Sequence, residues 1–348
     1  MNANVIPSGT SAASVRAGAT EAASGSDVLG AVVSPAIITS LDSVDVLAWV
    51  AIGTFVGAII LEWRDAIDGA RYVAAAAWAL FGVFWILMAP YYHYEVNSPL
   101  QTVLAIAALP LCLWAGYLLL QGRRSLLVLS RAVAFMGIIY LPAETIPVFR
   151  QWLIEVTAYQ THLAMDLVAT SPGINEGANG YQSRFDFDPD ETATGRTTYI
   201  IMACTGLGSM AIFGGLIAAV KAPLRRKALG FVVAVGIIWF LNLVRNVFIA
   251  LATPHGWFQQ GPFVYVATEW VGTVPERTSF WVSHNVLSQP LSVVALVGIA
   301  YVVIRLVPEV LAPLEEALFV LTGRELDLAD ALGTDAGAEP ETRKSAAD

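Results

Sequence analysis

The chain has 348 residues, of which 56% are hydrophobic and only 14% are charged, and its net charge is −9. Soluble domains carry about 25% charged residues, so this composition excludes an ordinary soluble globular protein. The long apolar runs predict helices that cross a membrane, and the alternating pattern of a membrane β-barrel is not found in them. We therefore predict an all-α fold, a polytopic transmembrane helical bundle.

Polar sequence at both ends divides the chain into three predicted parts. Residues 1–43 form a polar N-terminal segment that begins rich in Ser, Ala and Gly, a composition typical of disorder. Residues 44–308 form the multispan membrane domain, and residues 309–348 form an acidic tail predicted to be cytoplasmic. The acidity suits a high-salt environment, in which charge repulsion is screened, although an ordinary disordered acidic tail has the same composition.

Seven apolar runs are long enough to cross a bilayer, which takes about 20 residues. They are residues 44–61, 72–90, 101–120, 125–143, 198–220, 228–252 and 281–307. An eighth candidate, 147–168, carries Arg150, Glu155, His162 and Asp166, which favours an interfacial amphipathic helix over a span. The prediction is therefore seven or eight spans.

Basic residues between the runs predict the orientation, because they are enriched in cytoplasmic loops. Arginines follow the first and third runs, and a basic cluster, Lys221 to Lys227, follows the fifth. These loops and the C-terminus are then inside. The long connections 144–197 and 253–280 are outside.

Three ionisable side chains fall at similar depth beneath the predicted outer face. Cys204 is expected about six residues, or about 9 Å, into the helix that enters from outside. Arg245 is expected about seven residues below the outer end of the next span, and His284 near the outer start of the last. Ionisable groups at membrane depth are costly, so a functional role is the default hypothesis for them.

The three side chains suit a cysteine-dependent acyl-transfer site. A guanidinium beside a thiol favours the thiolate and stabilises an oxyanion, and an imidazole shuttles protons near neutral pH. Simpler interpretations remain: Cys204 as a packing residue, Arg245 in a structural ion pair, and His284 as a satisfied interfacial histidine. Arg277, just before the last span, is a second candidate for the third catalytic position.

Other features of the sequence limit the possible chemistry. Gly206 and Gly208 leave space beside Cys204, either for the approach of a backbone or a lipid or for helix packing, whereas Cys112 lies mid-span and is interpreted as packing. Two cysteines make no disulfide framework or cysteine metal cluster, and no metal or cofactor is expected. Without a phosphate loop or basic patch, no nucleic-acid partner is predicted.

Three short motifs in order along the chain resemble the exosortase/archaeosortase family of polytopic transpeptidases. They are Ala203-Cys204-Thr205-Gly206, Asn242-Leu-Val-Arg245-Asn246 and Ser283-His284-Asn285. The acidic tail suits a member from a halophilic archaeon.

The resemblance implies a cysteine-type sorting enzyme with Cys204 as nucleophile. Its partners would be C-terminal sorting signals of exported surface proteins, such as a surface-layer glycoprotein: a Pro-Gly-Phe motif, a transmembrane helix and a basic end. A membrane lipid would accept the acyl group on the extracellular side of the cell membrane. The family's third catalytic position is His or Arg, which His284 matches and for which Arg277 competes.

Three alternatives stay open from the sequence alone. A polytopic transporter would use Arg245 and His284 to line a substrate path, although no internal repeat is evident. A peptidase would use water in place of lipid to resolve the acyl-enzyme. A noncatalytic assembly factor would leave Cys204 inert.

Overall fold

The computed structural model of the chain describes residues 43–95, 99–168 and 172–333. The predicted N-terminal segment, apart from its last residue, and the end of the acidic tail lie outside the described residues.

Helices make up most of the described chain, in keeping with the predicted all-α bundle. Six are long and apolar enough to cross a membrane: α1 (Ser43–Trp63), α2 (Ile67–Tyr94), α3 (Pro99–Leu120), α4 (Leu126–Thr145), α7 (Leu224–Ala252) and α9 (Pro275–Leu306). The others are α5 (Pro147–Val168), α6 (Leu207–Ala219), α8 (Gly261–Tyr265), α10 (Leu311–Thr322) and α11 (Leu328–Leu332).

The fifth predicted span, 198–220, differs most from expectation. Only 13 of its residues, Leu207–Ala219, form the shorter apolar helix α6. The start of the run is extended chain and a 3₁₀ turn, because Gly206 adopts a left-handed conformation with φ of 77° that interrupts a helix. The amphipathic α5 is helical as predicted and is not among the six helices long and apolar enough to span.

Two apolar clusters hold the bundle together. One joins α1 to α4 around Phe55, Trp78 and Leu119, and the other joins α6, α7 and α9 around Phe213 and Val303. Helices α4 and α6 connect the two halves. At their contact a Cβ on Gly215 would lie 2.7 Å from the Ala132 carbonyl oxygen, so only glycine permits this approach.

Much of the helix surface faces outward. In the most apolar part of each spanning helix, only 17–39% of the residues are buried inside the protein. Apolar side chains on the outside of a bundle suit lipid, while polar groups inside must find partners. Trp78 accordingly donates from Nε1 to Ser130 Oγ at 2.9 Å, linking α2 to α4.

A small antiparallel sheet covers one end of the bundle, here called the sheet end. Its strands, in the order β1-β2-β3, are β1 (Gly173–Glu176), β2 (Gln182–Asp186) and β3 (Thr198–Tyr199). Sequence reasoning missed this sheet. Residues of α5, β2 and α7 form a third cluster there, the sheet-side cluster, with Ile154, Ala158, Met165, Phe185, Ile200, Ala250 and Leu251.

The opposite end of the bundle, here called the basic end, carries paired charges. Arg123 binds Glu316 through Nε at 2.8 Å and Nη2 at 3.0 Å, and its Nη1 lies 2.6 Å from Glu325. Its guanidinium also covers the Phe319 ring at 3.5 Å. Arg226 pairs with Glu309. The first part of the acidic segment 309–348 is thus helical and fastened to the basic loops.

Candidate active site

Cys204 lies in a tight turn, not inside a helix as the sequence predicted. The turn is a single 3₁₀ element, Met202–Cys204, in which the Cys204 amide donates to the Ile201 carbonyl at 2.8 Å. The preceding chain is extended, because Ile200 pairs with β2. Cys204 is half-buried and packs at the margin of the sheet-side cluster. The thiol therefore sits between the sheet and the start of α6.

Two amides of α7 hold the turn through its backbone. Asn242 and Asn246 each donate from Nδ2 to the Cys204 carbonyl oxygen, at 2.7 and 2.9 Å. They stand one helical turn apart on the same face of α7, and Asn246 is buried. Both lone pairs of the carbonyl are thus occupied. These two amides fix the position of the Cys204 backbone.

Gly206 and Gly208 have different roles. A Cβ on Gly206 would approach Asn242 Cγ to 3.2 Å, and its φ of 77° disfavours other residues. A Cβ on Gly208 would meet only Tyr140 Cε2 at 3.9 Å, an ordinary contact. Gly206 is therefore required by the turn and its approach to α7, whereas Gly208 leaves room beside it.

Arg245 and His284 meet across α7 and α9. Arg245 Nη2 lies 3.2 Å from His284 Nε2. Since a guanidinium can only donate, Nε2 accepts this hydrogen bond and the ring proton resides on Nδ1. Nδ1 lies 3.2 Å from Asn285 Oδ1, which accepts it. The structure thus brings together two of the three predicted catalytic side chains, with the imidazole neutral.

His284 sits in an irregular stretch of α9. Residues Val282–Ser288 form a π-helix, a rare element that occurs often at functional sites. The imidazole stacks on Phe280 with ring centroids 5.0 Å apart and planes 14° apart. The stacking and the Arg245 contact fix the orientation of the ring.

Arg245 has no anionic partner among the residues that the structure describes. Salt bridges there join other arginines, and in one case His162, to carboxylates, and Arg245 is in none of them. Its Nε is buried and lacks a hydrogen-bond partner in that same part of the chain. A cation in this state retains unused donors for a negatively charged or developing oxyanion ligand.

Arg277, the competing candidate for the third catalytic position, has a different environment from His284. It is exposed and belongs to the first 3₁₀ turn of α9, Pro275–Arg277. Within the described ranges no hydrogen bond or ion pair joins it to Cys204 or Arg245. Cys112, by contrast with Cys204, is buried in α3 among apolar residues.

The described residues offer no group of three or more His, Cys, Asp or Glu side chains placed to hold a metal ion. Within the sheet, Arg184 Nη2 lies 2.7 Å from Asp186 Oδ2 and forms an ion pair with it. Its guanidinium, helped by the Asn175 amide, holds the pKa of Asp186 below its usual range. Both residues lie in β2, in the sheet that precedes the Cys204 turn.

Comparison with known proteins adds a family to this geometry. Residues 39–283 match the family described as transmembrane exosortase. The chain belongs to the transmembrane exosortase family. The matched range includes Cys204 and Arg245 and ends one residue before His284.

Two curated relatives extend the likeness over most of the chain. An archaeosortase A from Natronomonas pharaonis is 44% identical over 291 residues, covering 80% of this chain and 89% of the relative. An archaeosortase A from Haloferax volcanii is 42% identical over 305 residues, covering 84% and 98%. No solved structure matches.

These similarities confirm the family predicted from the three motifs. Together with the six apolar helices they establish a multi-pass membrane protein. They also support a membrane-embedded processing enzyme, a peptidase or transpeptidase, over the transporter and the noncatalytic alternative.

Proposed function

We propose that this exosortase-family protein is a cysteine transpeptidase that cleaves C-terminal sorting signals of exported surface proteins and transfers them to a membrane lipid. The proposal rests on the contacts that one turn of α7 makes on both sides. Its amides hold the Cys204 backbone, and Arg245, in the same turn, contacts His284. Helix α7 thus holds the backbone of the cysteine and carries the cation that contacts the imidazole.

In the proposed first step, Cys204 Sγ attacks the substrate carbonyl carbon and forms a thioester as the C–N bond breaks. The thiol proton moves to His284 and then to the departing amine. The released fragment carries the substrate's C-terminal helix. A lipid hydroxyl then attacks the thioester, its proton returns through His284, and Cys204 is restored as a thiol.

Arg245 controls both other groups in this scheme. In the resting structure its Nη2 occupies the Nε2 lone pair, so His284 accepts a proton only after the guanidinium moves away. A developing oxyanion would draw the guanidinium away from His284, because a cation is attracted more strongly to an anion than to a neutral imidazole. Substrate binding would thereby free the base at the moment it is required.

The proposed substrates and side of action follow from the family resemblance and the basic loops. Substrates are surface proteins, such as a surface-layer glycoprotein, whose signal combines a Pro-Gly-Phe motif, a transmembrane helix and a basic end. The basic end of the bundle, with Arg123 and Arg226, lies in the cytoplasm according to the positive-inside rule. The sheet end with Cys204 then faces the extracellular side of the cell membrane.

Substitution of each cysteine tests the nucleophile. Cys204→Ala should leave the surface protein with its C-terminal helix uncut, because no thioester forms. Cys112→Ala, which alters a buried packing residue in α3, should process normally at equal protein abundance. Normal processing by Cys204→Ala would rule out cysteine catalysis.

Thiol labelling tests the side of the membrane. A membrane-impermeant maleimide applied to intact cells should label half-buried Cys204 more than Cys112, which lies within a span. The matched measurement uses inside-out vesicles. Labelling of Cys204 only in those vesicles would reverse the proposed orientation.

Mass spectrometry of the product distinguishes lipid from water as the acceptor. A lipid acceptor gives a processed C-terminus heavier by the lipid mass, whereas water gives a free carboxylate. The free carboxylate in intact membranes would reduce the protein to a peptidase.

A further inference from the structure

The extended chain just before Cys204 forms the open edge of the sheet. Strand β3 pairs with β2 on one side only, and the described residues place no strand on its other side. The pairing continues beyond β3, because the Ile200 amide donates to the Ser183 carbonyl at 2.9 Å. Ile201 remains extended, with φ of −114° and ψ of 172°, immediately before the Met202–Cys204 turn.

The alternating direction of the backbone N–H and C=O groups determines which of them are free at this edge. In an antiparallel ladder, successive residues point their N–H and C=O groups to opposite sides. Ile200 points to β2, since it donates there and its carbonyl accepts from Asn179 Nδ2 at 3.0 Å. Tyr199 and Ile201 therefore point their N–H and C=O groups away from β2. The Ile201 carbonyl already accepts from the Cys204 amide at 2.8 Å and keeps one lone pair free. An unpaired edge is a template for another extended chain.

The side chains of the same segment alternate as well. Ile200 is only 4% exposed and belongs to the sheet-side cluster, which includes Ala250 and Leu251 of α7, so its side chain faces the bundle. Tyr199 and Ile201 are 40% and 44% exposed on the opposite face. The open edge thus carries an apolar stripe that leads directly to the thiol.

We propose that the free edge of β3 binds the residues just before the cleaved bond of the substrate as an added, parallel β-strand. The proposal rests on the proposed function and specifies how that site would hold its peptide. The exported domain precedes the cleaved bond, so the chain that reaches Cys204 from that domain runs alongside β3 in the same direction. Main-chain hydrogen bonds then supply affinity, and Tyr199 and Ile201 contact alternate apolar side chains of the peptide.

An ester scan of the substrate tests the strand pairing without altering the enzyme. Signal peptides carry a single backbone ester, which replaces one N–H by oxygen, at each of four successive positions beginning two residues before the cleaved bond. Purified enzyme should show losses in kcat/KM of about tenfold at two alternate positions, the effect of about one net hydrogen bond. The two intervening positions should differ little from the all-amide peptide, and the losses should lie in KM. Equal values at all four positions, or losses at adjacent positions, would overturn the proposal.

A matched pair of enzyme variants tests the same edge from the protein side. Tyr199→Pro removes an outward N–H, whereas Tyr199→Val keeps it and removes only the aromatic ring. Tyr199→Pro should raise KM about tenfold with thermal stability unchanged, and Tyr199→Val should raise it less. If Tyr199→Pro unfolds the protein, the ester scan decides alone.

Cys204→Ala separates this proposal from the proposed function. When cleavage of the peptide requires Cys204 and the ester scan shows no alternation, the acyl-transfer function stands and strand addition is wrong. When cleavage does not require Cys204, the site itself has been misassigned.

Discussion

Arginines at the two ends of the bundle have opposite environments. At the basic end, Arg123 binds two carboxylates and covers an aromatic ring. At the sheet end, Arg245 contacts only the neutral His284 among described residues and has a buried Nε without a partner. The ion pairs of Arg123 account for its presence, because they fasten the acidic helix to the bundle. Arg245 has no such pairs, and its unused hydrogen-bond donors suggest a ligand. The comparison teaches that the partners of a charge, more than its depth, indicate which arginine is a candidate for a functional role.

The largest expected effect comes from replacing Arg245 by alanine. Arg245→Ala should abolish detectable processing while leaving protein abundance intact, because it removes the cation for both the thiolate and the oxyanion. Arg245→Lys should recover little, because lysine lacks the planar fork. Processing of the surface protein is followed by the size of the precursor.

Arg123→Ala is the control at the basic end. It leaves Glu316, only 8% exposed, without its bidentate partner, so the protein should lose about 1–3 kcal/mol of stability. Processing per folded molecule should be unchanged. If Arg245→Ala processes normally, or if both variants only lower abundance, the contrast between the two ends is wrong.

The second effect in size concerns the partner of Arg245. His284→Ala should leave slow cleavage, reduced about 10²–10⁴-fold, because proton transfer then falls to water. The pH profile of kcat/KM should also lose the limb that the imidazole controls. Arg277→Ala is the comparison, since Arg277 is exposed at the start of α9 and should process normally. Blocked processing in Arg277→Ala with normal His284→Ala would transfer the third role to Arg277.

The sequence predicted the helices better than the sheet end, for a physical reason. Apolar length alone identifies spans such as α1 and α4, because a bilayer demands about 20 apolar residues. The run 199–203 is also apolar, but its conformation depends on pairing with β2, which no local pattern contains. One local signal for the hairpin was present. Asn179-Gly180 is a strong turn sequence, and Gly180 has φ of 77° between β1 and β2.

The sequence singled out the three candidate residues, but it did not show which groups hold them in place. Cys204, Arg245 and His284 stood out because ionisable groups are rare in apolar runs. That Asn242 and Asn246 hold the Cys204 carbonyl depends on the distance between α7 and the turn, which the sequence does not encode locally. The turn itself had a signal in Gly206, since glycine is the usual residue where φ is positive.

A third, smaller effect is expected from replacing the glycine of the Cys204 turn at the sheet end. Gly206→Ala places a Cβ at positive φ, which costs about 1–2 kcal/mol, and presses it against Asn242. Because the turn then shifts Cys204, kcat/KM should fall about tenfold or more. Gly208→Ala is the matched control two residues on, and it should be stable and active because its Cβ has room. Equal activity of the two variants would show that the turn tolerates movement.

The smallest expected effect is the pH dependence of stability from an ion pair of the sheet. Arg184 and the Asn175 amide lower the pKa of Asp186, so the folded state favours the carboxylate. A lowered folded pKa stabilises the protein above the ordinary aspartate value of 3.8, and this stabilisation is lost as the pH falls below it. Asp186→Asn should therefore melt slightly below the parent protein at pH 7, and the difference between the two melting temperatures should shrink as the pH is lowered below 3.8. Asp190→Asn, a change at an exposed aspartate of the same connection, is the matched control measured over the same pH range. A constant difference between Asp186→Asn and the parent across this range would mean that Asp186 stabilises the sheet through shape and not through its charge.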